Sequence, residues 1–133
     1  MPLRGLVDPW LPPLLLMVVI FSLSAQSNLD SGLGVIDLIG RKIVHAATYA
    51  LLCLLWGRAL RTAMPDGPAL VAAFAVAVAY AVSDEYHQSF VAGRHGSPLD
   101  VAIDAFGAGA AALWLRRRHT RSAAAAAERA GTA

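Results

Sequence analysis

Residues 68–90 read PALVAAFAVAVAYAVSDEYHQSF, and this stretch decides the class of the fold. From Pro68 to Val82 there is no charged residue, and the one polar side-chain group is the hydroxyl of Tyr80. Alanine is abundant and no period-two alternation of apolar and polar residues is present, so the stretch is a helix rather than a half-buried strand. About 20 mostly apolar residues cross the roughly 30 Å hydrocarbon layer of a bilayer. Backbone groups in lipid must be satisfied within their own segment. The stretch therefore predicts a transmembrane helix, one that ends in a dense polar run, Ser83-Asp84-Glu85-Tyr86-His87-Gln88.

Three further segments share this character on either side: residues 9–25 (PWLPPLLLMVVIFSLSA), 42–60 (KIVHAATYALLCLLWGRAL) and 98–115 (PLDVAIDAFGAGAAALWL). The fold class that follows is all-α, an integral membrane bundle of four transmembrane helices. Composition agrees, with 57% hydrophobic and 15% charged residues and a mean hydropathy of +0.55. The pI of about 9.1 does not indicate nucleic acid, because the excess arginine sits beside the apolar segments, where orientation signals belong. Cys53 is the one cysteine, so no disulfide can form within the chain. Pro12 and Pro13 are tolerated in the first turn of a span. Arg4, the apolar stretch and Leu23-Ser24-Ala25 also fit a signal peptide with a small-residue cleavage site, which is the rival reading of the first segment.

The connections read as loops. Residues 26–41 (QSNLDSGLGVIDLIGR) are polar and glycine-rich, with room for a short interfacial helix. Residues 61–67 carry the turn signal Met64-Pro65-Asp66-Gly67, and residues 91–97 (VAGRHGS) are short. One domain, residues 1–121, is followed by an alanine-rich tail, 122–133, in which weak order is expected. With a cytoplasmic N-terminus, Arg4, Arg58, Arg61 and the basic run Arg116 to Arg121 lie inside, and Arg41, Lys42 and Arg94 lie outside. The bias places both termini of a multi-pass cell-membrane protein in the cytoplasm.

Alternating topology then gathers the polar residues. The end of the first segment (Ser22, Ser24, Gln26), the start of the second (Lys42, His45, Tyr49), the end of the third and the start of the fourth (Asp100, Asp104) share the outer side. Arg94 and His95 lie in the loop between the third and fourth. At about 100° per residue, Lys42, His45 and Tyr49 fall within about 60° of one another. Asp84, His87 and Gln88 share a face at i, i+3 and i+4, and Glu85 points about 100° away from Asp84, toward a different partner. Asp100, Asp104, Gly107 and Ala111 form one stripe, polar outside and small inside, suited to close helix packing. Arg41 and Lys42 are placed at a helix N-terminus, where the dipole disfavours cations. Pairing with Asp84, Glu85, Asp100 or Asp104 would offset that cost.

Arg41-Lys42-x-x-His45-x-x-x-Tyr49, Asp84-Glu85-x-His87-Gln88-x-Phe90-x-x-Gly93-Arg94 and Asp100-x-x-x-Asp104-x-x-Gly107 resemble the VanZ-like family of small membrane proteins, as does Phe21-Ser22-x-Ser24-x-Gln26. The resemblance covers about Phe21 to Leu113. Ala92 stands where the family often has Pro, and Asp104 where it usually has Asn. The resemblance implies a link to low-level resistance to glycopeptide antibiotics such as teicoplanin.

Ionisable residues inside a membrane are functional candidates by default. The residues expected to hold a ligand are Lys42, His45, Tyr49, Asp84, Glu85, Gln88, Arg94, Asp100 and Asp104. The ligand class is an amphipathic or lipid-linked envelope molecule, its anionic head on Lys42 and Arg94. Membrane lipids are the other expected partner, and nucleic acid is not one. Three alternatives stand beside this: an enzyme with His45 or His87 as general base oriented by Asp84 or Asp100, a zinc site from His45, His87, Asp84, Asp100 and Asp104, and a purely structural network. The spacing on any one segment matches no zinc signature, so neither a metal nor another cofactor is expected. Ser83 is the nearest candidate nucleophile.

Overall fold

The computed structural model describes residues 8–26 and 32–132. Four helices make up the fold: α1 (Leu11–Ser24), α2 (Val35–Leu60), α3 (Asp66–Gln88) and α4 (Pro98–Gly131), with no strand among the described residues. The protein is an all-α membrane bundle. Helices α2, α3 and α4 are long and apolar enough to cross a bilayer. α1 is apolar but has 14 residues, about 21 Å of helix against about 30 Å of hydrocarbon. The Arg4 orientation signal and residues 27–31 of the first connection lie outside the described residues.

Three boundaries differ from those the hydropathy predicts. α2 begins at Val35 rather than near Lys42, so the second half of the 26–41 stretch is its first two turns and not a separate interfacial helix. Arg41 and Lys42 are accordingly not at a helix N-terminus. Asp37 occupies the first turn, where an acid suits the dipole, and Arg41 Nη2 lies 2.7 Å from its carboxylate one turn on. α3 starts and ends two residues before the apolar window. α4 continues through the alanine-rich tail to Gly131, where composition predicts weak order. Alanine has the highest helix propensity, and this extension is exposed on every side from Thr120 onward.

α2 packs most extensively on α4, and α3 on both, while α1 lies against α2 and α3. The faces that meet are made of small residues. α3 buries Ala69, Ala73, Ala77 and Ala81, spaced by four, and α4 buries Gly107, Ala108 and Ala111. Lipid tails are as apolar as any side chain, so close backbone approach rather than water exclusion holds such faces together. Gly107 shows how close: a methyl group there would overlap the Ala46 carbonyl oxygen on α2. Tyr49, Leu52 and Cys53 fill the centre between α2, α3 and α4. Trp10 of α1 meets Trp56 of α2 edge to face, ring centroids 6.1 Å apart. This pairs the start of α1 with the end of α2, as antiparallel neighbours require.

Candidate functional site

At the other end of the bundle, where α1 and α3 finish and α2 and α4 begin, the polar residues face one another in rungs. Lys42 Nζ donates to Asp100 Oδ1 at 2.5 Å. One turn deeper, His45 Nδ1 lies 3.3 Å from Asp104 Oδ1, close but off the alignment of a hydrogen bond, since that oxygen has no hydrogen-bond partner. One turn deeper again, Tyr49 Oη donates to Asp84 Oδ2 at 3.3 Å. The i, i+3, i+7 spacing on α2 produces this ladder because each residue descends the same helix face. The first rung is a third exposed on both sides, whereas Asp104 and Asp84 are 1% and 3% exposed.

α3 extends the network toward α1. Gln88 Nε2 donates to Asp84 Oδ2 and to Ser24 Oγ, both at 3.2 Å. Arg94 Nη1 donates to the Ser24 carbonyl oxygen at 2.9 Å, and Tyr80 Oη donates to the Met17 carbonyl oxygen at 2.5 Å. These three side chains fasten the C-terminal half of α1. Gly93, at φ 79°, takes a backbone conformation costly for other residues and turns the loop so that Arg94 folds back over the bundle. Glu85 serves a different partner, as its angle predicts: Oε1 accepts from the Ser97 backbone N–H at 2.6 Å and closes the loop that starts α4.

Two expected candidates lie apart. The His87 ring stacks on Phe21 with centroids 4.4 Å apart, directed to α1 rather than to the rungs, and its Nδ1 is buried without a hydrogen-bond partner. At −60° from Asp84 it sits on the far edge of the shared face. Ser83 is exposed and donates to the Tyr80 carbonyl of its own helix, so it is no nucleophile for His45. Among the described residues, no three His, Cys, Asp or Glu side chains are placed to share a metal ion.

Two cavities open beside the rungs. A polar one of about 200 Å³ is lined by Arg41, Lys42, His45, Gln88, Arg94, His95 and Asp100, with Leu38 and Ile103. A largely apolar one of about 440 Å³ lies between α1 and α2, walled by residues such as Ile20, Leu23, Ile36 and Val44. Arg41, His45 and Arg94 line both. Of the three Lys and Arg side chains here, Arg41 is paired with Asp37 and Lys42 with Asp100. Among the described residues, no carboxylate lies within ion-pair distance of Arg94, whose observed partner is a backbone carbonyl. The apolar cavity and the Asp37–Arg41 pair escape the sequence reading. An acid four residues before Arg41 is the signal that would have extended α2 and found the pair.

The VanZ/LLP1 family model matches residues 10–118. Neither a search of curated proteins nor one of solved structures finds a match.

Proposed function

This chain belongs to the VanZ/LLP1 family, and from that premise we propose that it binds an anionic, amphipathic envelope molecule at the outer-leaflet end of the bundle. The observation that carries the reading is Arg94, a partly buried guanidinium without a carboxylate partner among the described residues, at the seam of a polar and an apolar cavity. An anionic head group beside it gains charge-assisted hydrogen bonds in a site already partly shielded from water. Lys42 and Arg41, each paired with an acid, offer further N–H donors on the same wall, and the α1–α2 groove accepts the apolar chain. Gln88 and Tyr49 line the polar and the apolar cavity, and the buried Asp84 and Asp104 support them from behind. In a cell, occupancy of this site by an envelope precursor alters susceptibility to teicoplanin-type glycopeptides.

The test uses Arg94→Gln and Asp84→Asn, which keep shape and change charge. Purified chain offered phosphatidylglycerol and phosphatidylcholine holds the anionic lipid preferentially in this site, and Arg94→Gln weakens the affinity of this one site about tenfold, equivalent to about 1.4 kcal/mol. Cells expressing either variant at normal membrane levels shift in glycopeptide susceptibility. Unchanged retention and unchanged susceptibility in both variants would sink the proposal. The orientation is checked separately: a cysteine at Ala92 labels from outside the cell, and labelling from the cytoplasm alone would move the site to the inner leaflet.

A second reading, hydrolysis or transfer at the same place, is favoured by His45, which lines both cavities with Nδ1 beside the buried Asp104. A general base held by an acid has this arrangement. It predicts a changed product rather than a retained lipid, and His45→Gln that retains lipid but yields no product.

A further inference from the structure

The opposite end of the bundle carries a second, separate site. α4 is 34 residues long, about 51 Å of helix, so it outruns the roughly 30 Å hydrocarbon layer. Two contacts mark where it leaves. Leu115 packs at Gly57, near the end of α2, and His119 Nδ1 lies 3.7 Å from Asp66 Oδ2, at the start of α3. Residues 114–121 therefore straddle the end of the bundle, at the level where Trp10 and Trp56 also meet.

On that stretch Trp114, Arg117, Arg118 and Arg121 follow i, i+3, i+4 and i+7, one face of the helix. With Ser122 they line a concavity of about 300 Å³. Trp114 is 52% exposed, and the Arg118 guanidinium lies 5.3 Å from its ring centroid. Among the described residues, none of these three arginines has an acidic side chain within ion-pair distance. Arg116 points about 160° away from Arg118 and about 140° from Arg121, to the other side of α4.

We infer that Trp114, Arg117, Arg118 and Arg121 form a headgroup site for an anionic phospholipid in the leaflet at this end. Three unneutralised guanidinium groups meet the phosphate and any second charge of the headgroup. The indole, amphipathic and at the interface, lies against the glycerol region. Juxtamembrane arginines near an anionic surface each contribute about 1 kcal/mol, or about fivefold in affinity.

Arg94→Gln serves as background for the test, so that the cavities at the other end do not contribute. The full-length chain is purified and offered equal amounts of phosphatidylglycerol and phosphatidylcholine, and bound lipid is counted by native mass spectrometry. The expected result is preferential retention of phosphatidylglycerol. Arg118→Gln lowers it about fivefold and the triple change Arg117→Gln, Arg118→Gln, Arg121→Gln about 100-fold, while Arg116→Gln stays within about twofold. Equal retention of the two lipids by the background chain overturns the site. So does an equal effect of Arg116→Gln and Arg118→Gln, which would mean diffuse charge without a stripe. Arg117, Arg118 and Arg121 are exposed, so the triple variant keeps its unfolding midpoint. If it fails to accumulate, the comparison of the two single changes decides.

Discussion

The two ends of this bundle are closed by different physics. Toward the α2–α3 turn the helices meet through glycine and alanine, with Gly57 against Leu115 and buried alanines along α3. Toward the α3–α4 loop they meet through Lys42–Asp100, His45–Asp104 and Tyr49–Asp84. The difference is instructive because the surrounding solvent is the same. In lipid, apolar side chains gain little by leaving the tails, so shape closes most of the first end, with Asp66 beside Arg61 and His119 at its exposed rim. The second end carries buried carboxylates whose desolvation is expensive, although alanine would pack there as well.

The largest expected effect lies where the two regions meet. Gly107→Ala raises helix propensity by about 1 kcal/mol, yet the added methyl overlaps the Ala46 carbonyl and α2 must retreat from α4. We expect a net loss of about 2 kcal/mol, in the range of overpacked cores, and no folded protein from Gly107→Leu. Unfolding in mixed micelles measures it, and an unchanged midpoint for Gly107→Ala would show that the α2–α4 approach is slack.

Next in size is Asp84→Leu, which strips the acceptor from Tyr49 and Gln88. Donors left unmet in a buried site cost about 1–3 kcal/mol. The informative companion is the fully apolar set, Tyr49→Phe with Asp84→Leu and Gln88→Leu. Exchange of a whole buried polar group for apolar residues is often neutral. The companion should regain most of the lost stability, but not anionic-lipid retention or glycopeptide response. Recovery of all three would reduce the polar end to a fastener and leave the two ends functionally alike.

Much of this contrast was legible in the sequence, for a physical reason. Hydropathy finds apolar helices because bilayer thickness sets their length, and alternation of direction then puts His45, Asp84 and Asp104 at one end whatever the side-chain detail. The cost of a cation at the start of the second segment left four acids as partners for Lys42, of which Asp100 is the one it meets, and helical phase found the separate role of Glu85. Hydropathy could not find the true start of α2: its first two turns carry Asp37, Gly40 and Arg41 and fall below the apolar threshold, although an i, i+4 ion pair stabilises them. His87 was misplaced for a related reason. Residues three apart differ by about 60°, enough to send Asp84 to Tyr49 on α2 and His87 to the Phe21 ring. The apolar cavity depends on how α1 leans on α2, which no local pattern encodes.

The smallest effect belongs to the outermost rung, and it sharpens the comparison from within the polar end. Lys42 and Asp100 are each about a third exposed, so the headgroup region screens their attraction. A double-mutant cycle with Lys42→Gln and Asp100→Asn should give a coupling of about 0.5 kcal/mol, the range of exposed pairs. The buried Tyr49–Asp84 rung, measured the same way with Tyr49→Phe and Asp84→Asn, should give more, because less solvent competes for its hydrogen bond. Such a gradient means that the network tightens with depth and that its rim is free to serve a ligand. Lys42→Gln should then weaken anionic-lipid retention by a larger factor than its stability cost implies. Equal coupling at rim and base, with a lipid effect no larger than the stability effect, would instead assign Lys42 to the bundle alone.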